Sequence, residues 1–423
     1  MKLASKMELM RITLVFDLSP CAIGSCHQMA APAPSLALWQ CAQLDPAARD
    51  SRLAFVMKLP DYRKLHTVPR IIIFLVGVYV FLFSIELMGK GFNGLGAGFT
   101  RTLFSLTATP LTGLFIGLLV TSICQSSSST TSVVVGLVAC GSLDITHAIP
   151  IVMGANIGTT VTSTIVSFAH VGRRQEFERA FPAAMVHDIF NILTVMTLMP
   201  LEALFHPLAR GSALLARAFQ GVGGLSVSSP LQFVTGPPLH AVSRLVGRIA
   251  WIELAVALFL LFSALKVMVD MLRSLISRRF EVILDKYLFG NAGRAFLLGL
   301  FFTALIQSSS VTISMAVPLA GAGLLTLRQL FPYALGANIG TTVTAVLAAL
   351  VTGSISAVQV AFAHTLFNSF GTAIWYPLRI VPLSIAGWLG GFCARHRVFA
   401  VLFVIVVFFA IPLVAVILLR RTV

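Results

Sequence analysis

Residues 125–163 recur at 307–345. With Gln307 set against Gln125, an offset of 182, 20 of 39 positions are identical. QSSS heads each copy and GANIGTTVT closes it. A duplication of this length makes the chain two homologous halves, so any fold it adopts must place one unit twice. The match extends in both directions. LFSIELM (82–88) aligns with LFSALKV (261–267), and AMVHDIFN (184–191) with AFAHTLFN (361–368). In the last pair the offset is 364 − 187 = 177, because the first copy has a longer basic loop at 169–179. Each half reads as span, QSSS, GANIGTT, then a span carrying HxxxN.

Of the 423 residues, 57% are hydrophobic and 11% charged, against about 25% charged in soluble proteins. PRIIIFLVGVYVFLFSI (69–85) and RVFAVLFVIVVFFAIPLVAVILL (397–419) are long enough, as helices, to cross roughly 30 Å of hydrocarbon. The expected fold is an all-α polytopic membrane protein with the lipid bilayer as its surroundings. The net charge, 30 − 15 = +15, sits in short segments: RKLHTVPR (63–70), RRQEFER (173–179) and KVMVDMLRSLISRRF (266–280). That is the positive-inside pattern, not a nucleic-acid footprint. The six cysteines form no CxxC, so no transition-metal site, redox motif, disulfide framework or cofactor is expected.

With the basic flank 58–70 inside, span 71–88 runs outward. With 266–294 also inside, the matching span 248–265 runs inward. The copies then enter in opposite senses, as inverted-topology repeats, an arrangement of secondary transporters whose sites lie near the midplane. Five regions are expected. Residues 1–65 form a disordered N-terminal extension with a second start-like sequence at Met57. Residues 66–200 are the first repeat, and 201–245 a Gly-, Pro- and Ser-rich extracellular loop. Residues 246–378 are the second repeat, and 379–423 an interfacial segment with a final transmembrane helix.

The apolar runs flanking QSSS, Leu114–Cys124 and 131–141, are each too short to span. This predicts a re-entrant hairpin or broken helix with QSSS at its tip, buried in protein or lining a water-filled cavity. A helix starting at the serines exposes free N–H groups and a dipole favouring an anion. The hydroxyl oxygens also suit a hard cation. Ser and Thr can serve helix packing alone, but a duplicated QSSS paired with GANIGTT argues for more. GANIGTT lacks the lysine of a P-loop. Gly154, Gly158, Gly336 and Gly340 permit tight turns or close helix approach. Asn156, Thr159, Thr160, Asn338, Thr341 and Thr342 offer neutral oxygens that hold Na⁺ at an unwound helix.

Asp188 lies within the span AAMVHDIFNILTVMTLMP, where a charge is costly and marks function. Its counterpart is Thr365, so a cation site is expected in one half only. His187 with Asn191, and His364 with Asn368, are i,i+4 pairs that read as buried hydrogen-bonding partners rather than ligands. Three function classes follow: a sodium-coupled anion transporter, an intramembrane serine protease, and a channel filtered by polar tips. The protease leaves the duplicated QSSS unexplained and lacks GxSxG.

The duplicated QSSS, the GANIGTT partners, RRQEFERAFPAAMVHDIFN (173–191) and HTLFNSFGTAIWYP (364–377) resemble the type II sodium–phosphate cotransporters. The resemblance covers about 66–420, and the short form is similar to bacterial members. It implies a symporter of the plasma (inner) membrane, not an enzyme, that couples inward Na⁺ flow to uptake of HPO₄²⁻ by alternating access. It assigns binding to the two QSSS regions. On that basis Gln125, Ser126, Ser127, Ser128, Gln307, Ser308, Ser309 and Ser310 are expected on the phosphate side. Ser129, Thr130, Asn156, Thr159, Thr160, Asp188, Thr312, Asn338, Thr341 and Thr342 are expected on the sodium side. In the family an Asp at the position of Asp188 accompanies electrogenic transport with three Na⁺ per phosphate, and Gly accompanies electroneutral transport with two. Ala184 fits the electrogenic pattern, while Pro182 stands where an Ala is expected. No Arg or Lys lies near either QSSS, so co-bound Na⁺ and helix N-termini must supply the positive charge. The alternatives are a sodium-coupled carrier of another small oxyanion, or an anion channel.

Overall fold

A computed structural model describes residues 67–420 apart from 108, 222–227, 246–248 and 289–290. The expected N-terminal extension, 1–65, lies outside the described residues. The first half contributes α1 (Thr67–Leu106), α2 (Pro110–Cys124), α3 (Ser127–Ala139), α4 (Ile145–Thr159), α5 (Val161–Ser167) and α6 (Arg174–Phe205). Then come α7 (Pro207–Gly221) and α8 (Ser228–Leu245). The second half follows as α9 (Ala250–Leu288), α10 (Ala292–Ile306), α11 (Ser309–Gly321), α12 (Leu327–Thr352) and α13 (Ile355–Trp375). Helices α14 (Ile380–Arg395), α15 (Arg397–Ile405) and α16 (Ile411–Arg420) end the described chain. No strand occurs among the described residues, and six helical stretches there are long and apolar enough to cross a membrane. The protein is an all-helical, multi-pass membrane protein.

The matching helices α1 and α9 lie side by side and antiparallel. Gly94 rests on Ala250, Gly91 on Leu254 and Gly77 on Met268, so one sequence climbs as the other falls. Glycine lets the two backbones approach, the usual means of helix association where lipid is as apolar as the side chains. Past that contact α1 bends at Gly96, whose φ of 74° is left-handed. The halves also meet through aromatics: Phe190 of α6 and Phe331 of α12 pack edge to face, centroids 6.1 Å apart.

The 201–245 connection differs from the expected loop. Helix α6 runs on to Phe205, and α7 and α8 are helical. Loop-like composition misleads here because Pro207 stands at the start of α7, where a missing N–H costs nothing. Leu208, Ser212 and Ala216, spaced four apart, bury one face of α7, which packs on α13. Its N-terminus is capped by Glu202, whose carboxylate accepts from the Leu208 N–H at 2.6 Å and the Ala209 N–H at 3.0 Å. Beyond α13 the chain turns by 90° into α14, which seats Gly390 on Pro182 of α6. In the last span Pro412 cannot donate to Phe408, and its ring crowds that carbonyl. The helix widens into a π turn over Val406–Ala410.

Candidate functional site

Helices α2 and α10 have 15 residues each, α3 and α11 have 13. At 1.5 Å per residue each reaches about 20 Å, short of the ~30 Å hydrocarbon core. The two pairs are joined by equivalent hinges. Gln125 (φ 53°, ψ 29°) and Gln307 (φ 59°, ψ 26°) are left-handed, and the Ser126 and Ser308 that follow are extended. Among the described residues His206 is the one other non-glycine with positive φ. That conformation costs a side-chain-bearing residue roughly 1–2 kcal/mol, and such strain collects where function needs it. Each hinge N–H still closes its helix, Gln125 on the Thr121 carbonyl at 2.7 Å and Gln307 on that of Thr303 at 2.6 Å. Ser126 and Ser308 then cap the next helices, accepting from Ser129 N–H at 3.2 Å and Val311 N–H at 3.4 Å. The first N–H groups of α3 and α11, at Ser127, Ser128, Ser309 and Ser310, have no intrahelical acceptor.

The two tips touch. Ser128 Oγ donates to the Gln307 carbonyl at 2.8 Å, and Ser310 Oγ to the Thr159 carbonyl at 3.1 Å. The residues expected on the phosphate side are thus drawn from both halves to one junction. Ser127, Ser128, Gln307, Ser309 and Ser310 are buried, Ser126 and Ser308 half-buried, and Gln125 exposed. Gln307 Oε1 is buried with no protein partner. The neighbouring hydroxyls brace the tips: Ser129 bonds Ser126 Oγ at 2.8 Å, Thr130 donates to the Ser126 carbonyl at 3.2 Å, and Thr312 to the Ser308 carbonyl at 2.9 Å.

The GANIGTT glycines serve close approach rather than a turn. A Cβ on Gly154 or Gly158 would strike the carbonyls of Leu114 or Leu118 in α2. On Gly336 or Gly340 it would strike those of Phe296 or Leu300 in α10. Each Gly-rich helix therefore lies flat against the helix that leads to its own hinge. The expected unwinding is confined to Thr160 in the first copy, and α12 is continuous through the second. Tight packing of backbone on backbone favours an intact helix. Thr159, Thr160, Thr341 and Thr342 donate to their own helices, at 2.8, 2.8, 3.0 and 2.7 Å.

Asn156 and Asn338, expected as sodium ligands, are otherwise engaged. Asn156 Oδ1 accepts from Asn368 Nδ2 at 3.2 Å and meets His364 Nε2 at 3.3 Å. Asn338 Oδ1 meets His187 Nε2 at 2.6 Å, and its Nδ2 donates to Asn191 Oδ1 at 3.1 Å. An amide oxygen has two lone pairs, and Asn156 has used both. Asn338 Oδ1, with His187 as its one protein partner, keeps a lone pair.

Asp188 is fully buried. Its Oδ2 accepts from Thr164 Oγ1 at 2.8 Å, and its Oδ1 has no protein partner. Thr160 is a second hydroxyl beside the carboxylate. A buried carboxylate without a basic partner calls for a counter-charge. Thr365, the counterpart, donates to its own helix at Ala361. Sequence reasoning missed Thr164, which lies four residues after Thr160 and so on the same helix face. It also missed Thr121 and Thr303, related by the repeat offset of 303 − 121 = 182. Thr121 donates to Thr130 Oγ1 at 2.9 Å.

The family described as Na⁺/Pi-cotransporter matches residues 80–228 and 259–381. Sodium-dependent phosphate transport protein 2A of Mus musculus is 32% identical, aligned over 95% of this chain and 74% of its own length. Protein 2A of Oryctolagus cuniculus is 32% identical over 79% of this chain and 65% of its own. Protein 2B of Homo sapiens is 32% identical over 81% and 64%. No solved structure matches.

Proposed function

The chain belongs to the Na⁺/Pi-cotransporter family, one of transporters rather than enzymes, and from that premise we propose that it carries inorganic phosphate into the cell with Na⁺. The observation that carries this reading is the junction of the two QSSS tips through Ser128 and Gln307. Two helix N-termini open there, each worth roughly half a positive charge. They fall short of the two charges on HPO₄²⁻, and the sequence places no Arg or Lys beside either QSSS. Sodium makes up the difference, so phosphate binds poorly until Na⁺ is in place and the two fluxes are coupled.

The ion set centres on Asp188 with Thr160 and Thr164. Ser129, Thr130, Thr159, Thr312, Thr341 and Thr342 already hydrogen-bond within their own hairpins or helices and offer further lone pairs. Three Na⁺ with HPO₄²⁻ move one net charge inward, which adds about 2.3 kcal/mol of drive per 100 mV, or roughly a fifty-fold steeper phosphate gradient. The antiparallel course of α1 and α9 supports inverted repeats and an alternating-access cycle. The setting is the plasma membrane.

Uptake of radiolabelled phosphate into proteoliposomes at fixed membrane potential tests the reading. Uptake is expected only with a Na⁺ gradient, and Na⁺-independent uptake would overturn it. Asp188→Gly is expected to keep uptake and lose phosphate-induced current; unchanged current per phosphate would remove Asp188 from its role.

A further inference from the structure

We propose that His187 with Asn191, and His364 with Asn368, are positioning residues that tie each hairpin hinge to the opposite half of the molecule. The inference rests on the transport reading above and deepens it. All four side chains are buried to within 1% of full. On α6 of the first half, His187 and Asn191 grip Asn338 of the second. On α13 of the second half, His364 and Asn368 grip Asn156 of the first. The exchange is reciprocal. Proton positions follow from the chain of bonds: Asn338 Nδ2 donates to Asn191, so Asn338 Oδ1 is the acceptor and His187 Nε2 carries the hydrogen.

Each gripped asparagine sits between the two glycines of its GANIG segment. Gly336 and Gly340 press α12 on α10, which ends at Gln307. Gly154 and Gly158 press α4 on α2, which ends at Gln125. A shift at either clamp therefore passes through a stiff backbone contact to the hinge of the other half. Helix α6 bears a second function on the same turn. Asp188 stands next to His187 and reaches back to Thr164 of its own half. One helix thus holds the ion carboxylate toward the first half and the hinge support of the second. Filling the Asp188 site and setting Gln307 become events on one rigid body, a physical route by which sodium prepares the phosphate tip.

Side-chain length supplies the test. Glutamine places its amide N–H at the depth of a histidine Nε2–H, and asparagine falls one methylene short. The variants H187Q, H187N, H364Q and H364N are reconstituted, folded carrier is quantified, and phosphate KM and Vmax are measured at saturating Na⁺. Both asparagine variants should raise KM at least threefold at retained Vmax per folded carrier, and both glutamine variants less than threefold. Any other pattern, including loss of Vmax at unchanged KM, overturns the proposal. If one position does not yield folded protein, its mirror position decides. Wild-type uptake that lacks Na⁺ dependence would instead sink the transport reading.

Discussion

Replacing Gly336 by alanine asks whether glycine contact sets the hinge. A Cβ there overlaps the Phe296 carbonyl, lying 2.8 Å from its carbon and 2.9 Å from the Leu300 nitrogen. Carbon contacts settle at about 3.5–4.0 Å, and both offending atoms are backbone, which cannot rotate aside. Helices α12 and α10 must part by about 1 Å. Gln307 ends α10 and moves with it, so its 2.8 Å bond from Ser128 stretches beyond the ~3.2 Å range of a good hydrogen bond. Overpacking of this kind costs roughly 1–3 kcal/mol. If about 1 kcal/mol of it is expressed at the tip, phosphate KM rises roughly fivefold. The assay is Na⁺-dependent uptake by reconstituted protein beside thermal unfolding in detergent. Gly387 and Gly391 of α14 serve as controls, since a Cβ there meets nothing within 4 Å. Alanine at those two should stabilise by about 0.5–1 kcal/mol and leave KM alone. A Gly336→Ala protein that unfolds with the wild type and keeps its KM would refute the reasoning.

Ser128→Ala removes one buried bond between the tips and should raise phosphate KM by a factor of roughly 2–10, the worth of about 0.5–1.5 kcal/mol, read by uptake. Glu202→Ala frees two N–H groups of α7 and should cost about 1–2 kcal/mol in thermal unfolding with KM unchanged. Asp144 caps α4 by accepting from the His147 N–H at 2.9 Å. Partial burial pushes its carboxyl up, but hydrogen bonds from His147 and Thr146 win and hold it below its usual range. A lowered carboxylate stabilises fully above its unfolded pKa of about 3.9 and loses that contribution as pH falls through the folded value. Asp144→Ala should therefore cost about 1 kcal/mol at pH 7, and unfolding midpoints of the two proteins should converge only below about pH 4.

The hairpins are legible in the sequence because length alone rules out two full spans either side of QSSS, and the repeat says the exception is deliberate. The left-handed glutamines are not legible. Gln has no preference for that conformation, and only the packing of a second helix against the first imposes it. Asn156 and Asn338 read as ligands because neutral oxygens beside glycines fit Na⁺. Their protein partners lie 212 and 151 residues away in the chain, beyond the reach of any local pattern. HxxxN did announce a buried hydrogen-bonding face, but not which asparagine it faced. Helix α7 is hidden by composition, and the clue is its spacing of four at the buried residues Leu208, Ser212 and Ala216, with Ser212 bonded back to the Ala209 carbonyl.

The two copies share hinge, glycines, asparagine and clamp, yet their tip serines bond differently. Ser128 and Ser310 are equivalent, at 310 − 128 = 182. Ser128 donates to the Gln307 hinge, whereas Ser310 donates to Thr159, whose carbonyl is released where the helix breaks at Thr160. Strict symmetry would have Ser310 on the Gln125 carbonyl and Ser128 on that of Thr341. The hinges also differ in burial, Gln307 being 6% exposed and Gln125 exposed. In an alternating-access carrier built from inverted repeats, the opposite-facing state is this one with the roles of the halves exchanged. If this chain is such a carrier, the unmade pair, Ser310 with Gln125, belongs to that second state, in which Gln307 becomes exposed. Thiol labelling checks it: in a Cys124→Ser background, Gln125→Cys and Gln307→Cys are probed with a membrane-impermeant reagent from each side. Conditions that expose one should protect the other, from opposite faces of the membrane. Labelling of both from one side, or of both at once, would mean that the asymmetry of the tips is fixed and not one half of a cycle.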